Sequence, residues 1–185
     1  MATLFVLTAG LSTPSTTRQV ADAIAAAVVD AAAERESVRV TTVELRPLAA
    51  DLARAISTGD VSAKLSEVIG QLKSADGLIA VTPVFKASYS GLFKMFFDVL
   101  AADALVGMPT IVAATAGSAR HSLVTEHALR PLLTFMRAVV VPTSLLAATA
   151  DFGGPAGAEL NGRIQRAARE LVDLMLAPPR QRGLR

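Results

Sequence analysis

Short apolar runs alternate along this chain with segments whose hydrophobic positions recur every third or fourth residue. Leu4 to Leu7 predicts a buried strand. After the polar run Ser12 to Thr17 a helix is expected, capped by Ser15 or Thr16 and carrying Val20, Ile24 and Val28 on one face. Val38 to Val43 alternates as a second strand, which Leu45 to Leu48 leaves. Leu48 to Ser74 reads as two short helices broken near Gly59 and Asp60. Gly77 to Thr82 predicts a third strand, stopped by Pro83. A helix from Ser90 then places Leu92, Phe93, Phe96, Phe97 and Leu100 inward. Pro109 to Ala114 is the fourth strand, His121 to Met136 a helix, and Ala138 to Val141 the last strand. A loop with Gly153, Gly154 and Pro155 leads to a closing helix that turns Leu160, Ile164, Leu171 and Met175 inward.

Strict alternation of this kind predicts an α/β fold, a doubly wound, five-stranded parallel sheet in flavodoxin-like order 2-1-3-4-5. Residues 1–178 form one domain in this reading, and 179–185 a basic flexible tail. No linker, internal repeat or low-complexity tract interrupts the pattern.

Composition narrows the chemistry. There are no cysteines, which removes disulfides, thiolate nucleophiles and zinc–sulfur sites. The two histidines, His121 and His127, are six positions apart, a spacing that puts them on different sides of a regular helix and argues against a shared metal site. Chemistry is therefore expected from a borrowed cofactor. The formal charge is +2, but Arg180, Arg182 and Arg185 supply 3 of the positive charges, so the remainder stands at 2 − 3 = −1. With aromatics at only 4%, nucleic acid is not the expected partner. No run approaches the ~18 apolar residues of a membrane span, and no basic residue precedes Leu4, so a cytoplasmic protein is expected.

Ligands of open α/β sheets sit at the carboxyl ends of the strands, where the strand order reverses. Here those are the loops after strands one, three and four. Neither G-x-G-x-x-G nor G-x-x-x-x-G-K occurs, so classical dinucleotide and Walker sites are excluded. The first loop, Ala9 to Thr17, presents hydroxyls at a helix start, which suits a single phosphate; ordinary helix capping uses the same residues, and both readings stay open.

The second loop lies in the run TPVFKASYSGLFKMFFDVL, which resembles the T-P-x-Y-x-x-S-x-x-G-x-L-K-x-x-x-D block of the NAD(P)H-dependent FMN reductase family. The third, AATAGSARHSLVTEHALRPLL, is similar to the A-T-G-G-x-x-x-H…L-x-P-x-L block of the branch whose reductases feed reduced FMN to luciferase-like, alkanesulfonate-type monooxygenases. The likeness covers residues 3 to 150. It implies that Ser12, Pro14, Ser15, Thr16 and Thr17 surround the FMN phosphate. Pro83, Val84, Phe85 and Lys86 would run along the isoalloxazine edge. Thr115, Ala116, Gly117 and Ser118 would close over the pyrimidine end, with His121 beside them. It also implies NADPH or NADH as co-substrate, a homodimer or homotetramer, and a flavin-dependent monooxygenase as partner.

The chain departs from that pattern in places. Thr13 and Pro14 occupy a stretch where many relatives have an arginine, which implies a looser phosphate grip, and Arg18 lies on the helix instead. Phe85 replaces the expected tyrosine, and Ala116 stands where a glycine is common. His127 stands where some relatives have a tyrosine. Pro131 cannot donate to the His127 carbonyl, so an irregular helix is expected there. Lys94 and Asp98 read as a helix-surface pair. Tyr89 is open between core packing and contact with flavin or a neighbouring subunit. Lys86 is the candidate for a charge beside the flavin's N1–C2=O edge, and His121 for a positioning or capping role. A quinone or azo-dye reductase with retained FMN is the first rival. A flavodoxin-type electron carrier is the second, disfavoured because such carriers are strongly acidic. A degenerate scaffold without flavin is the third.

Overall fold

The computed structural model describes residues 1–152 and 154–177; Gly153 and the expected tail at 179–185 lie outside the described residues. The central strands are β1 (Ala2–Thr8), β2 (Val38–Glu44), β3 (Gly77–Phe85) and β5 (Pro109–Ala116), all parallel and ordered β2-β1-β3-β5. Their apolar runs are nearly continuous because both faces are covered. Phe5, Leu7, Leu78, Ala80, Val112 and Ala114 point into one core layer. Leu4, Val6, Ile79, Val81, Ile111 and Ala113 point into the other.

The first layer is closed by α2 (Ala49–Thr58), α3 (Ala63–Lys73) and α4 (Gly91–Asp98). Gly59, at φ 76°, ends α2 where the sequence predicts a break. The phenylalanines of α4 interlock: Phe93 and Phe97 lie 4.8 Å apart, and Phe96 meets Phe97 edge-on at 5.6 Å. All three are buried. Lys94 and Asp98 pair on the outer side as expected. The second layer packs α1 (Thr16–Ala32) against α6 (Gly154–Met175). Ala21 and Ala25 of α1 share that core with Ala167 and Ala168 of α6. Much of the chain's alanine is spent here, letting two helices lie close together over the sheet.

Three expectations are corrected. Pro83 does not stop the third strand, because the ladder to β1 ends at the Thr8–Val81 pair and leaves that edge of β3 open. β3 continues to Phe85, with Pro83 opposite Thr115, and folds back into β4 (Ser88–Tyr89). The turn residues Lys86 and Ala87 have φ of 50° and 64°, the primed hairpin geometry usually given to Asn-Gly. The last strand is split at Pro142 into β6 (Val139–Val140) and β7 (Leu145–Ala148), both pairing with β5.

Nor is 121–136 one helix. A 3₁₀ turn at Ala119–His121 is followed by a π turn at Thr125–Leu129 and then α5 (Arg130–Phe135). Arg130 N–H donates to the carbonyl of Thr125, five residues back. The irregularity expected from Pro131 is thus a widened turn. Arg130 also bridges the break in the last strand, its guanidinium donating to the carbonyls of Val141 at 3.0 Å and Pro142 at 3.1 Å. Its bond to Glu126, 2.7 Å long, holds that carboxyl below the usual range. Among the described residues no helix is long and apolar enough to cross a membrane.

The hairpin offers a direct test. An alanine held at positive φ costs about 1–2 kcal/mol, and glycine relieves this against its own entropy. Ala87→Gly is expected to stabilise the protein by about 0.5–1 kcal/mol in urea denaturation, whereas Gly59→Ala destabilises it by a similar amount.

Candidate functional site

Residues from all three predicted loops meet in one cleft at the carboxyl ends of β1, β3 and β5, with a volume of about 590 Å³. Thr16 comes from the first loop, Pro83, Val84 and Phe85 from the second, and Thr115, Ala116 and Gly117 from the third. Gln19, Ala147, Thr149 and Phe152 complete the lining. These four were missed in the sequence. Gln19 lies one turn along α1 from Thr16, and the other three follow from β7, which the break at Pro142 hides. Phe85 and Phe152 are 46% and 48% exposed, so two aromatic faces flank an open mouth.

The first loop curls back on the start of α1. A Cβ on Gly10 would collide with Ser15 Oγ, so any other residue there would displace the hydroxyl that caps the helix. Ser15 Oγ accepts the Arg18 N–H at 3.1 Å and caps the helix. Thr17 is buried, and its hydroxyl bonds that of Thr115 at 2.8 Å, joining the first and third loops beneath the cleft. Ser12 and Pro14 are exposed and stand outside the cleft lining. Arg18 pairs with Asp22 at 2.8 Å and with Glu44 at 3.7 Å, so its charge is already engaged.

Two hydroxyls are buried without a partner among the described residues, those of Thr8 and Ser118. Thr8 ends β1 on the face it shares with Leu4 and Val6, which α1 covers. Ser118 follows directly on the third loop's lining residues. Such atoms are costly unless something pairs with them.

Lys86 is exposed at the hairpin tip and is not among the cleft's lining residues. His121 lines a neighbouring cleft of about 350 Å³, together with Ala87, Ser88, Arg120 and His127. The two histidines therefore share one cleft, contrary to the helical expectation, because a 3₁₀ turn and a π turn replace the regular helix between them. Among the described residues no three His, Asp or Glu side chains gather around a common point. A third concavity, about 640 Å³, runs between α4 and α5 and includes Tyr89, Phe97, His127, Pro131 and Phe135. Tyr89 sits there with its ring 5.9 Å from that of Phe93.

None of the residues lining the main cleft is charged. The cleft supplies hydroxyls, strand-end peptide groups and two aromatic faces, a surface for a flat ligand with a polar edge. It supplies no proton donor of its own.

Comparison with known proteins agrees with this geometry. The profile of the NADPH-dependent FMN reductase family matches residues 2–152. The NADH-dependent FMN reductase SfnE of Pseudomonas putida is 35% identical over 170 residues, covering 91% of this chain and 89% of that protein. An oxidoreductase from Corynebacterium diphtheriae superposes with a TM-score of 0.93 at 61% identity, covering 96% of this chain and 98% of its own. The apo form of an NADH:FMN oxidoreductase, EMOB, superposes with a TM-score of 0.76 at 30% identity, over 91% and 89% of the two chains.

The buried hydroxyl pair beneath the cleft is separable by mutation. Thr17→Val strands the Thr115 hydroxyl and is expected to cost about 1–3 kcal/mol in thermal or urea unfolding. Thr17→Val combined with Thr115→Val removes both partners and is expected to recover part of that loss, a coupling that a double-mutant cycle reads directly.

Proposed function

Since this chain belongs to the NADPH-dependent FMN reductase family and is an NAD(P)H-dependent oxidoreductase using FMN, we propose that the uncharged cleft at the carboxyl ends of β1, β3 and β5 is its flavin site. The convergence of three loops on that cleft carries the reading. The residues fit the group. The first loop would hold the phosphate at the start of α1 through Ser12, Ser15, Thr16 and Thr17, where the helix dipole favours an anion; the Ser15 hydroxyl already caps the helix and that of Thr17 already bonds Thr115. The unpaired Thr8 and Ser118 hydroxyls lie beside the first and third of these loops.

Bound FMN supplies an acceptor for the hydride of the nicotinamide. The protein's part is to position and to shield. Pro83 to Phe85 line one edge of the cleft, with Lys86 next to them at the hairpin tip, and Thr115 to Gly117 close the far end, with Ser118 directly after them. Phe85 and Phe152 offer apolar faces that exclude water beside an open side where a second ring can stack. With no charged lining residue, the chain moves no proton of its own, and Lys86, at the hairpin tip, contributes through the field at the edge. His121 supports the third loop from the adjoining cleft.

The reaction takes place in the cytoplasm, where reduced nicotinamide nucleotide is available, and the reduced FMN leaves for a two-component monooxygenase. The open mouth of the cleft supports exchange of the flavin, and so does the likeness of the third loop to monooxygenase-feeding reductases. The chain assembles as a homodimer or homotetramer through the groove between α4 and α5, where Phe97, Leu132 and Phe135 lie beside the Lys94–Asp98 pair and Phe135 is 87% exposed.

Oxidation of NADPH and NADH, followed with and without added FMN and then with quinones, tests the activity. Turnover is expected to depend on added FMN. A preparation that retains its flavin and reduces quinones without added FMN overturns the flavin-supplying role. For assembly, light scattering after gel filtration is expected to show an oligomer that Phe135→Asp shifts toward the monomer; an unshifted oligomer places the interface elsewhere.

A further inference from the structure

The first loop contains no charged residue from Gly10 to Thr17, and the nearest basic side chain along the chain, Arg18, is held by Asp22 and Glu44. A phosphomonoester carries about 1.5–2 negative charges near neutral pH, more than a helix terminus neutralises alone. The compensating charge reaches the loop from a different strand. β1 and β2 run in parallel register with Thr8 beside Glu44, and the Leu45 N–H donates to the Thr8 carbonyl at 2.9 Å. The segment leaving β2 therefore travels alongside the segment leaving β1. Pro47 lies in the first turn of a 3₁₀ segment over Arg46–Leu48, and Leu48 is buried, which anchors the turn. From it Arg46 extends to the first loop, where its Nη1 donates to Thr13 Oγ1 at 2.8 Å.

That contact uses one of the five N–H donors of the guanidinium. Arg46 is exposed and pairs with no carboxylate among the described residues; Glu44, its nearest acidic neighbour in sequence, is engaged by Arg18. Its remaining donors form a planar fork at the rim of the loop, a geometry that matches phosphate oxygens two at a time. At the base of the same loop lies the buried, unpartnered Thr8 hydroxyl, on the side covered by α1.

We propose that Arg46, held in place by Thr13, is the residue that recognises the 5′-phosphate of the flavin and so selects FMN over unphosphorylated riboflavin. The inference rests on the flavin-site reading above. It assigns the discrimination to a side chain outside the three loops. Arg46 is a binding residue, not a catalytic one, and acts on the far end of the flavin from the reacting ring.

Flavin fluorescence titrations with FMN and with riboflavin, on wild type, Arg46→Ala and Arg46→Lys, test this without turnover. Wild type is expected to bind FMN more tightly than riboflavin, the more so at low ionic strength. Arg46→Ala is expected to lose about tenfold or more in FMN affinity, with riboflavin changed less than about twofold and a shallower salt dependence. Arg46→Lys, which keeps the charge without the fork, is expected to fall between. Equal loss for both flavins marks Arg46 as a structural tie only and overturns the proposal. An unchanged FMN preference in Arg46→Ala overturns it too, while leaving the flavin site intact. A wild-type protein that binds neither flavin overturns the site reading beneath it.

Discussion

Everything at the candidate site depends on the register of three parallel strands. Thr8 of β1 stands opposite Val81 of β3, and Val81 stands opposite Ala113 of β5. β1 ends at that level, whereas β3 runs on to Phe85 and β5 to Ala116, and the three loops emerge side by side at one end of the sheet. A slip of one residue would turn each strand's side chains to the opposite core layer. Phe5 and Leu7 face one layer while Leu4 and Val6 face the other, which makes such a slip costly along the whole sheet. The Thr17–Thr115 hydroxyl pair then ties the first and third loops where the strands stop.

From that register follows the division of labour around the cleft. Its walls are uncharged, and the charged groups near it stand at the margin. Arg18 is folded back onto Asp22 and Glu44, Arg46 reaches in from β2, and Lys86 sits on the hairpin tip. An uncharged wall suits a ligand whose reacting part is flat and whose charge is confined to one end.

Two departures from regular structure lie near the candidate site. The hairpin at Lys86 and Ala87 places two non-glycine residues at positive φ, and the π turn at Thr125–Leu129 widens a helix that Pro131 prevents from closing normally. Regular packing elsewhere supports them. The interlocked phenylalanines of α4 lie directly after the hairpin, and Arg130 bridges the split edge strand beside the π turn. The rigid core thus carries the local strain at the loops.

The sequence by itself determined the wound sheet, its order on the central strands, and the three loops that carry the site. Apolar runs buried on both faces and helical periodicity are local signals, and the motif residues sit within single segments. Arg18 illustrates the limit: the sequence shows a basic residue beside the first loop, and only the folded chain shows it occupied by Glu44 from another strand. Likewise Arg46, Ala147 and Phe152 are far from the first loop in sequence; strand pairing brings Arg46 to Thr13, and the edge strand resumed after Pro142 brings Ala147 and Phe152 to the cleft. The path of β3 past Pro83 was also a tertiary decision, because a proline's missing N–H matters only where a neighbouring strand needs it. Local chemistry selects the elements; which side chains share a cleft depends on contacts between segments that periodicity does not encode.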